Sequence, residues 1–363
     1  MVKPLIIMKY TFRDHFSAIA PGLSTALLAP VHAQAIGDLC SLFPFDAASD
    51  FGFESRLGNP EATCDFFLQI RKERAGSGII AGKSEVARLS PVLLNNPFWQ
   101  GISKLFEAWI EPSSILNKRL ELFWLEFDCL ESSFNPIPNI FFKINGNTES
   151  RKAQWGSMLE VLNEIYGILF RIKFPAGLGE NLKRCTEALP QYANIYQVGF
   201  MIPRKTEAVR LILNGFRDDS IIEYLKNIRW PGEIDAIHKM IERYAVKFDH
   251  TAFNLHIGEM VLPFFGTEMY LSDMSQPIWD PRWREILDFL EAENLLLRGK
   301  REGLGSYSSK KKVSYLLPVN YISGINHLKI AYKPGMPLEC KGYFGTMINP
   351  QKEAAIQHTV NET

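Results

Sequence analysis

The stretch "GINHLKIAYKPGMPLECKGYFGT", residues 324–346, predicts two strands around a Lys-Pro-Gly-Met-Pro turn. Alternate residues of a strand point to opposite faces. One face of this hairpin carries Leu328, Ile330, Tyr332, Leu338, Cys340 and Phe344. The other face carries His327, Lys329, Lys333, Glu339, Lys341 and Tyr343. The fold depends on whether this second face meets water or the inside of a closed structure.

Four further hairpins with the same two-faced pattern precede this one. We predict strands at 62–73 with 77–82, 119–128 with 139–145, 194–203 with 207–215, and 251–260 with 266–272, the last pair joined by residues 261–265. Between them, apolar residues recur at the three- and four-residue spacing of amphipathic helices. These segments are 12–43, 97–110, 154–172, 179–189, 218–228, 232–248 and 281–297. The order helix-helix-strand-strand therefore repeats about five times, which predicts an α+β protein.

The second strand faces mix charges with large aromatic side chains. Phe67, Trp124, Phe141, Tyr270 and Tyr343 all fall on them. An open sheet with this face in water is the simpler alternative, but solvent faces rarely display so many rings, and ten antiparallel strands leave edges that closure removes. We therefore predict a closed ten-stranded antiparallel barrel of five ααββ units with helices outside. It forms a single domain over 1–363, with the barrel at about 10–346 and a peripheral polar tail at 347–363.

Composition narrows the class of protein. Hydrophobic residues make up 46% and aromatics 12%, enough for a large core. The net charge of zero, from 40 basic and 40 acidic residues, argues against a nucleic-acid partner. Five cysteines without a CxxC pair indicate reduced thiols, and no apolar run has the length of a membrane span. We expect a cytoplasmic protein; the alternative is a secretory signal at "PGLSTALLAPVHAQA" (21–35).

Residues 341–343, Lys-Gly-Tyr, on the last strand are similar to the Lys-x-Tyr pairs of the ABBA prenyltransferases, whose barrel has the same repeating unit. The resemblance implies a lumen that holds an isoprenyl diphosphate and its acceptor. It also implies that Lys341 binds the diphosphate and that Tyr343 screens the allylic cation. The corresponding stretches 268–270 (Glu-Met-Tyr) and 210–212 (Arg-Leu-Ile) depart from this pattern.

The residues themselves are compatible with that chemistry. A diphosphate needs several cations in a low-dielectric site, and aromatic faces stabilise an allylic cation. The predicted substrate-binding residues are Arg71, Trp124, Lys143, Arg210, His256, Tyr270, His327, Lys329, Lys341 and Tyr343. Glu126, beside Trp124 on the same strand face, is the predicted base for the proton that the acceptor loses.

We therefore expect a prenyltransferase that moves an isoprenyl group from an allylic diphosphate to an aromatic or peptide side-chain acceptor. No metal ligands are predicted. Whether Mg²⁺ accompanies the diphosphate stays an open question. The alternative is a non-catalytic barrel that binds a peptide or small metabolite for a partner enzyme. The acids Glu126, Glu268 and Glu339 on the same face favour this alternative, because they suit a cationic ligand.

Overall fold

The computed structural model describes residues 10–130, 133–145, 151–204, 206–217, 220–271, 280–313 and 319–350. Its main antiparallel sheet contains eleven strands. They are β1 (Asp50–Arg56), β2 (Cys64–Arg71), β3 (Leu120–Phe127), β6 (Asn139–Ile144), β7 (Asn194–Phe200), β8 (Val209–Asn214), β9 (His250–Ile257), β10 (Val261–Tyr270), β11 (Ser309–Val313), β12 (Val319–Tyr332) and β13 (Glu339–Pro350). Two two-residue strands, β4 (Cys129–Leu130) and β5 (Ser133–Phe134), pair separately.

Ten strands close into a barrel, as predicted. Their order is β10-β9-β8-β7-β6-β3-β2-β1-β13-β12, and β12 then pairs with β10. The closing register joins Phe265 to Tyr332 and Met269 to Leu328. Closure pairs each of these ten strands on both sides, so the ring itself offers no strand edge to another chain.

Strand β12 is long enough to pair with two strands along one side. Leu328–Tyr332 pair with β10, whereas Val319–Ser323 pair with β11, which lies outside the ten-stranded ring. The exposed Lys310 and Lys311 of β11 make this remaining edge charged, a common protection against aggregation. The register of β12 with β13 shifts between Ile325 and His327.

Helices cover the outside of the barrel. They span Phe12–Ile19, Pro30–Cys40, Ala75–Ile80, Pro91–Leu94, Pro97–Ile110, Ile115–Arg119, Arg151–Leu169, Ala176–Glu187, Ser220–Asn227, Ile234–Tyr244, Arg282–Ala292 and Arg298–Tyr307. At least two of them precede each hairpin, which fits the predicted five-unit order.

The helix Pro97–Ile110 shows how the outer face is buried. The Asn96 side chain accepts hydrogen bonds from the first backbone N–H groups, and proline occupies the first turn, so the helix begins here. Its buried Trp109 packs edge-on against Phe123 of β3, with ring centroids 4.8 Å apart. Both side chains are fully buried. The apolar strand face predicted from alternation therefore forms the core between barrel and helices.

Several predicted boundaries are wrong. Residues 77–82 do not form a strand, because the helix Ala75–Ile80 occupies most of that segment; the partner of β2 is β1. Residues 261–265 belong to β10, where the register with β9 shifts around Pro263, which has no N–H to donate to the ladder. Strand β11 and the helix Arg298–Tyr307 were not predicted. Strand β13 continues to Pro350, four residues past the predicted barrel end; 351–363 lie outside the described residues.

Candidate active site in the barrel lumen

The barrel encloses a cavity of about 180 Å³. That volume exceeds the roughly 150 Å³ engineered cavity known to hold benzene. Its wall carries the rings of Phe67, Trp124, Phe141, Tyr270 and Tyr343 together with charged side chains. The predicted second face therefore looks into the barrel, not into water.

Glycines allow two of these rings to lie against the wall. Gly52 is opposite Phe67 across β1 and β2, and Gly199 is opposite Phe141 across β6 and β7. A Cβ atom at Gly52 would lie 2.4 Å from Phe67 Cζ and 2.7 Å from the backbone oxygen of Phe344. Such distances exclude a larger residue without movement, so the absence of a side chain here leaves room for the ring.

A layer of ion pairs crosses the lumen near the turns that join the strands of each hairpin. We call it the ion-pair layer; its members are Glu54, Arg56, Asp65, Glu126, Asp128, Arg204 and Lys341. Lys341 Nζ donates to Glu54 Oε1 at 2.5 Å, and the Tyr343 hydroxyl donates to Glu54 Oε2. Burial opposes ionisation of Glu54, but Lys341 and Lys329 outweigh it and hold its pKa below the usual range.

Glu126 belongs to the same layer and lines the cavity. Arg204, carried by the turn between β7 and β8, reaches Glu126 Oε1 at 3.2 Å and Asp128 Oδ1 at 2.5 Å. Burial, reinforced by the negative charge of Glu54, raises the pKa of Glu126 to about 7, against the opposing effects of Arg204 and Arg210. A carboxyl group with this pKa can accept or release a proton near neutral pH.

Asp65 completes the acidic part of the layer. Its Oδ2 atom lies 3.3 Å from Arg56 Nη2, and its Oδ1 accepts a hydrogen bond from the backbone N–H of Cys129. Burial and the charge of Glu54 raise its pKa to about 6. Oxygen atoms of Glu54, Asp65 and Glu126 lie within 4.8 Å of one another. A hard cation prefers oxygen ligands, but each of these carboxylates already contacts a lysine or an arginine.

A second buried network lies on β9, β10 and β12. Glu268 accepts hydrogen bonds from Asn254 Nδ2 at 2.9 Å and from the Tyr270 hydroxyl at 2.7 Å. Lys329 Nζ donates to Asn254 Oδ1 at 2.6 Å and lies 3.7 Å from Glu268 Oε1. Burial and the charge of Arg210 lower the pKa of Lys329 to about 7.

His327 connects the two networks by stacking. Its ring lies 4.1 Å from the ring of Tyr343, nearly parallel, and 4.6 Å from that of Tyr270. Nδ1 bonds Asn326 Oδ1 at 2.6 Å, while Nε2 has no hydrogen-bond partner among the described residues. Burial lowers the pKa of His327 to about 4, so the imidazole is neutral at pH 7.

Arg210 differs from the other cations of the lumen. Its Nε donates to His256 Nε2 at 3.1 Å, its Nη2 lies 3.0 Å from Met201 Sδ, and its guanidinium stands over the Phe141 ring. No carboxylate forms an ion pair with it in the part of the chain that the structure describes. Burial and the charge of Arg210 hold the pKa of His256 well below its ordinary value.

Arg71 and Lys143 lie toward the opposite end of the cavity, where helices connect the hairpins. Arg71 Nε is 3.7 Å from Asp50 Oδ2, and Lys143 Nζ is 2.7 Å from Glu121 Oε2. Both cations are about 30% exposed. They therefore form a polar rim separated from the ion-pair layer by Trp124 and Phe141.

The predicted site residues thus separate into groups. Those lining the cavity are Arg71, Trp124, Glu126, Lys143, Arg210, Tyr270, His327 and Tyr343. His256, Lys329 and Lys341 are not in its lining, and Lys341 and Lys329 are engaged by Glu54 and by Asn254. Lys143 shares the cavity wall with Arg210 but pairs with Glu121 at the rim.

Sequence reasoning missed five members of the ion-pair layer: Glu54, Arg56, Asp65, Asp128 and Arg204. Glu54 lies on β1, which was not predicted, although Phe51 and Phe53 alternate with Asp50, Gly52 and Glu54. Asp65 continues the Phe67, Gln69, Arg71 series by one step. The alternating sequence pattern was therefore sufficient to predict that Glu54 and Asp65 face the lumen. Arg56 and Asp128 likewise continue the series of Glu54 and of Glu126 by one step. Arg204 in a turn had no such signal, because turn positions carry no periodicity.

Comparison with known proteins adds no identity: no protein-family model and no curated protein matches the chain. Within the described residues, no helix combines the length and the apolar character that crossing a bilayer requires.

Proposed function

We propose that the lumen transfers an isoprenyl group from an allylic diphosphate to a nucleophilic aromatic or peptide side chain. The observation that carries this proposal is the cavity wall, where Arg210, which forms no ion pair with a carboxylate of the described residues, lies with the rings of Trp124, Tyr270 and Tyr343. A cation next to aromatic faces suits a substrate with a diphosphate at one end and a developing allylic cation at the other. Lys329 and Lys341, paired across β12 and β13, would reach the diphosphate by leaving Asn254 and Glu54.

The reaction would break the C1–O bond of the donor and form a bond between C1 and the acceptor. The lysines would stabilise the charge that develops on the leaving diphosphate. The acceptor then loses a proton, and Glu126, with its pKa of about 7, is positioned on the cavity wall to accept it. Mg²⁺ bound with the diphosphate would add to the charge that the lysines supply.

A second function is favoured by a separate observation. Lys341, Lys329, Arg204, Arg56, Arg71 and Lys143 each contact a carboxylate, at distances between 2.5 and 3.7 Å. The lumen is thus largely neutralised before a ligand arrives, and little unpaired positive charge is left for a diphosphate. A barrel that binds a peptide or small metabolite for a partner enzyme, without catalysis, fits this charge balance.

Thermal unfolding with dimethylallyl diphosphate, and with inorganic diphosphate as a matched anion, separates these functions. A ligand of the folded state at 100 times its Kd stabilises by about 2.7 kcal/mol. For the transferase we expect the donor to raise the midpoint more than diphosphate alone does, and mass spectrometry to detect a prenylated product from a panel of indoles, phenols and short peptides. Donor binding without product would favour the non-catalytic binding barrel. No response to the donor would contradict the transferase.

Lys341→Ala tests the assigned cation. If Lys341 contacts the diphosphate, the variant should bind the donor about 1–3 kcal/mol more weakly. Lys310→Ala, at an exposed position on β11, is the matched control. Calorimetric titration below the unfolding midpoint of each protein gives the affinities, and unchanged affinity in Lys341→Ala would remove this lysine from the site.

A further inference from the structure

The row of residues that crosses the lumen from β3 to β8 contains one position without a side chain. The register places Trp124 opposite Phe141, Phe141 opposite Gly199, and Gly199 opposite Arg210. The Phe141 ring fills the gap: a Cβ atom at residue 199 would lie 2.1 Å from Cε1, 2.3 Å from Cδ1 and 2.9 Å from Cζ of that ring. The ring therefore lies across the neighbouring strand instead of standing up from its own.

Backbone conformation does not explain this glycine. The glycines with positive φ among the described residues are Gly82, Gly215 and Gly335. No backbone atom is among the three atoms nearest the added Cβ, all of which belong to the Phe141 ring. What Gly199 supplies is space for that ring alone. Gly52 differs, because a Cβ there would also meet the backbone oxygen of Phe344.

The position of the ring has two consequences for the lumen. Phe141 is 4% exposed and lines the cavity, so the ring surface forms part of the wall that a ligand meets. It also holds the Arg210 guanidinium, whose central carbon is 5.3 Å from the ring centroid. A methyl group at residue 199 would push the Phe141 ring away from strands β6 and β7. The free space beside the ring is the cavity, so the ring would move into the cavity.

We propose that Gly199 is a specificity-determining position that sets the size of the apolar group admitted beside Phe141. This inference rests on the lumen being the ligand site, as in both functions above, and not on prenyl transfer itself. The ligand class is a compact apolar or planar group that lies on the Phe141 ring. An alanine at residue 199 makes the lumen smaller, and a smaller side chain at residue 141 makes it larger.

The test uses two uncharged probes of different size, indole and 2-phenylindole, titrated by calorimetry. Gly199→Ala should weaken binding of the larger probe at least about tenfold relative to the smaller one, the discrimination expected when a pocket loses the volume of a methyl group or more. Gly199→Ala/Phe141→Leu should restore the parent ratio, because the ring that the methyl group displaces is gone. Phe141→Leu alone should favour the larger probe, and it does not depend on whether Gly199→Ala folds.

Gly342→Ala is the matched control, because a Cβ at that strand glycine would face Leu57 and Leu304 on the outside of the barrel. It should leave the ratio of the two affinities unchanged. Equal weakening of both probes in Gly199→Ala, failure of the double variant to restore the ratio, or no binding of either probe to the parent would each overturn the proposal. The probes carry no diphosphate. A failure to detect prenyl transfer would therefore not change the affinity ratios expected in these titrations.

Discussion

Replacing Glu126 with glutamine should make the protein more stable at alkaline pH than the parent. Glu126 is 9% exposed, and its pKa of about 7 in the folded protein stands against an ordinary value of 4.5. The folded state therefore resists losing this proton, whereas the unfolded chain loses it readily. The side chain thus lowers the free energy of unfolding as the pH rises from about 4.5 to 7, and this loss persists at higher pH.

The size of the effect follows from the two pKa values. At 1.36 kcal/mol for each pKa unit, the difference between about 7 and 4.5 corresponds to a loss of about 3 kcal/mol above pH 7. Glu126→Gln keeps the size and hydrogen-bonding capacity of the side chain but cannot ionise. Arg204 retains Asp128 as a partner at 2.5 Å, so the variant does not leave that arginine without a carboxylate.

Urea denaturation of both proteins at pH 5 and pH 8 measures the effect. The stability of Glu126→Gln relative to the parent should rise by about 2–3 kcal/mol between the two pH values. Glu285→Gln, in an exposed position on the helix Arg282–Ala292, reports the change caused by net charge alone. A Glu126→Gln protein that gains nothing over the parent between pH 5 and pH 8 would refute the raised pKa and, with it, the basis for Glu126 as a proton acceptor.

Two further predictions concern buried groups. Lys341→Met should destabilise the protein by about 3–5 kcal/mol, because it leaves the carboxylate of Glu54, 1% exposed, without its lysine. Adding Glu54→Gln should recover part of this loss, as measured by urea denaturation. A double variant without any recovery would contradict the pairing. Cys40, Cys64, Cys185 and Cys340 are buried and Cys129 is partly exposed, with burial raising the pKa of the Cys129 thiol to about 11. An Ellman assay should therefore find at most one slowly reacting thiol in the folded protein and five after unfolding, and rapid reaction of several thiols would argue against this packing.

Local sequence was enough to predict most of the barrel. Alternation in segments such as 119–128 and 194–203 has a strict period of two, and a strand with one apolar face has only one way to bury it. The inward direction of Trp124, Glu126 and Arg210 follows from the outward burial of their strand neighbours. The segment 97–110, predicted from its periodic apolar face, agrees with the helix Pro97–Ile110, whose start is set by the Asn96 cap and the first-turn proline.

Strand β1 shows where local reasoning fails. Phe51 and Phe53 alternate with Asp50, Gly52 and Glu54 in this strand, but both of its faces are buried, and glycine weakens the strand signal. The sequence predicts the apolar stretch 77–82 as the partner of β2 instead. Short apolar segments of this kind fit a helix and a strand equally well, and only packing of the complete chain chooses between them.

Strand alternation is a local property of the backbone, so the amino-acid sequence suffices to predict which side chains of a recognised strand face the lumen. Which charges meet there depends on the packing of the complete chain. Glu54 and Lys341 are 287 residues apart, and Glu126 and Arg204 are 78 apart, so neither pairing leaves a trace in local spacing. Pairing of the first strand with the last brings Lys341 to Glu54, and the turn between β7 and β8 brings Arg204 to Glu126. Since a buried charge without a partner is strongly unfavourable, these long-range pairs set the pKa values and hence the chemistry that the lumen can perform.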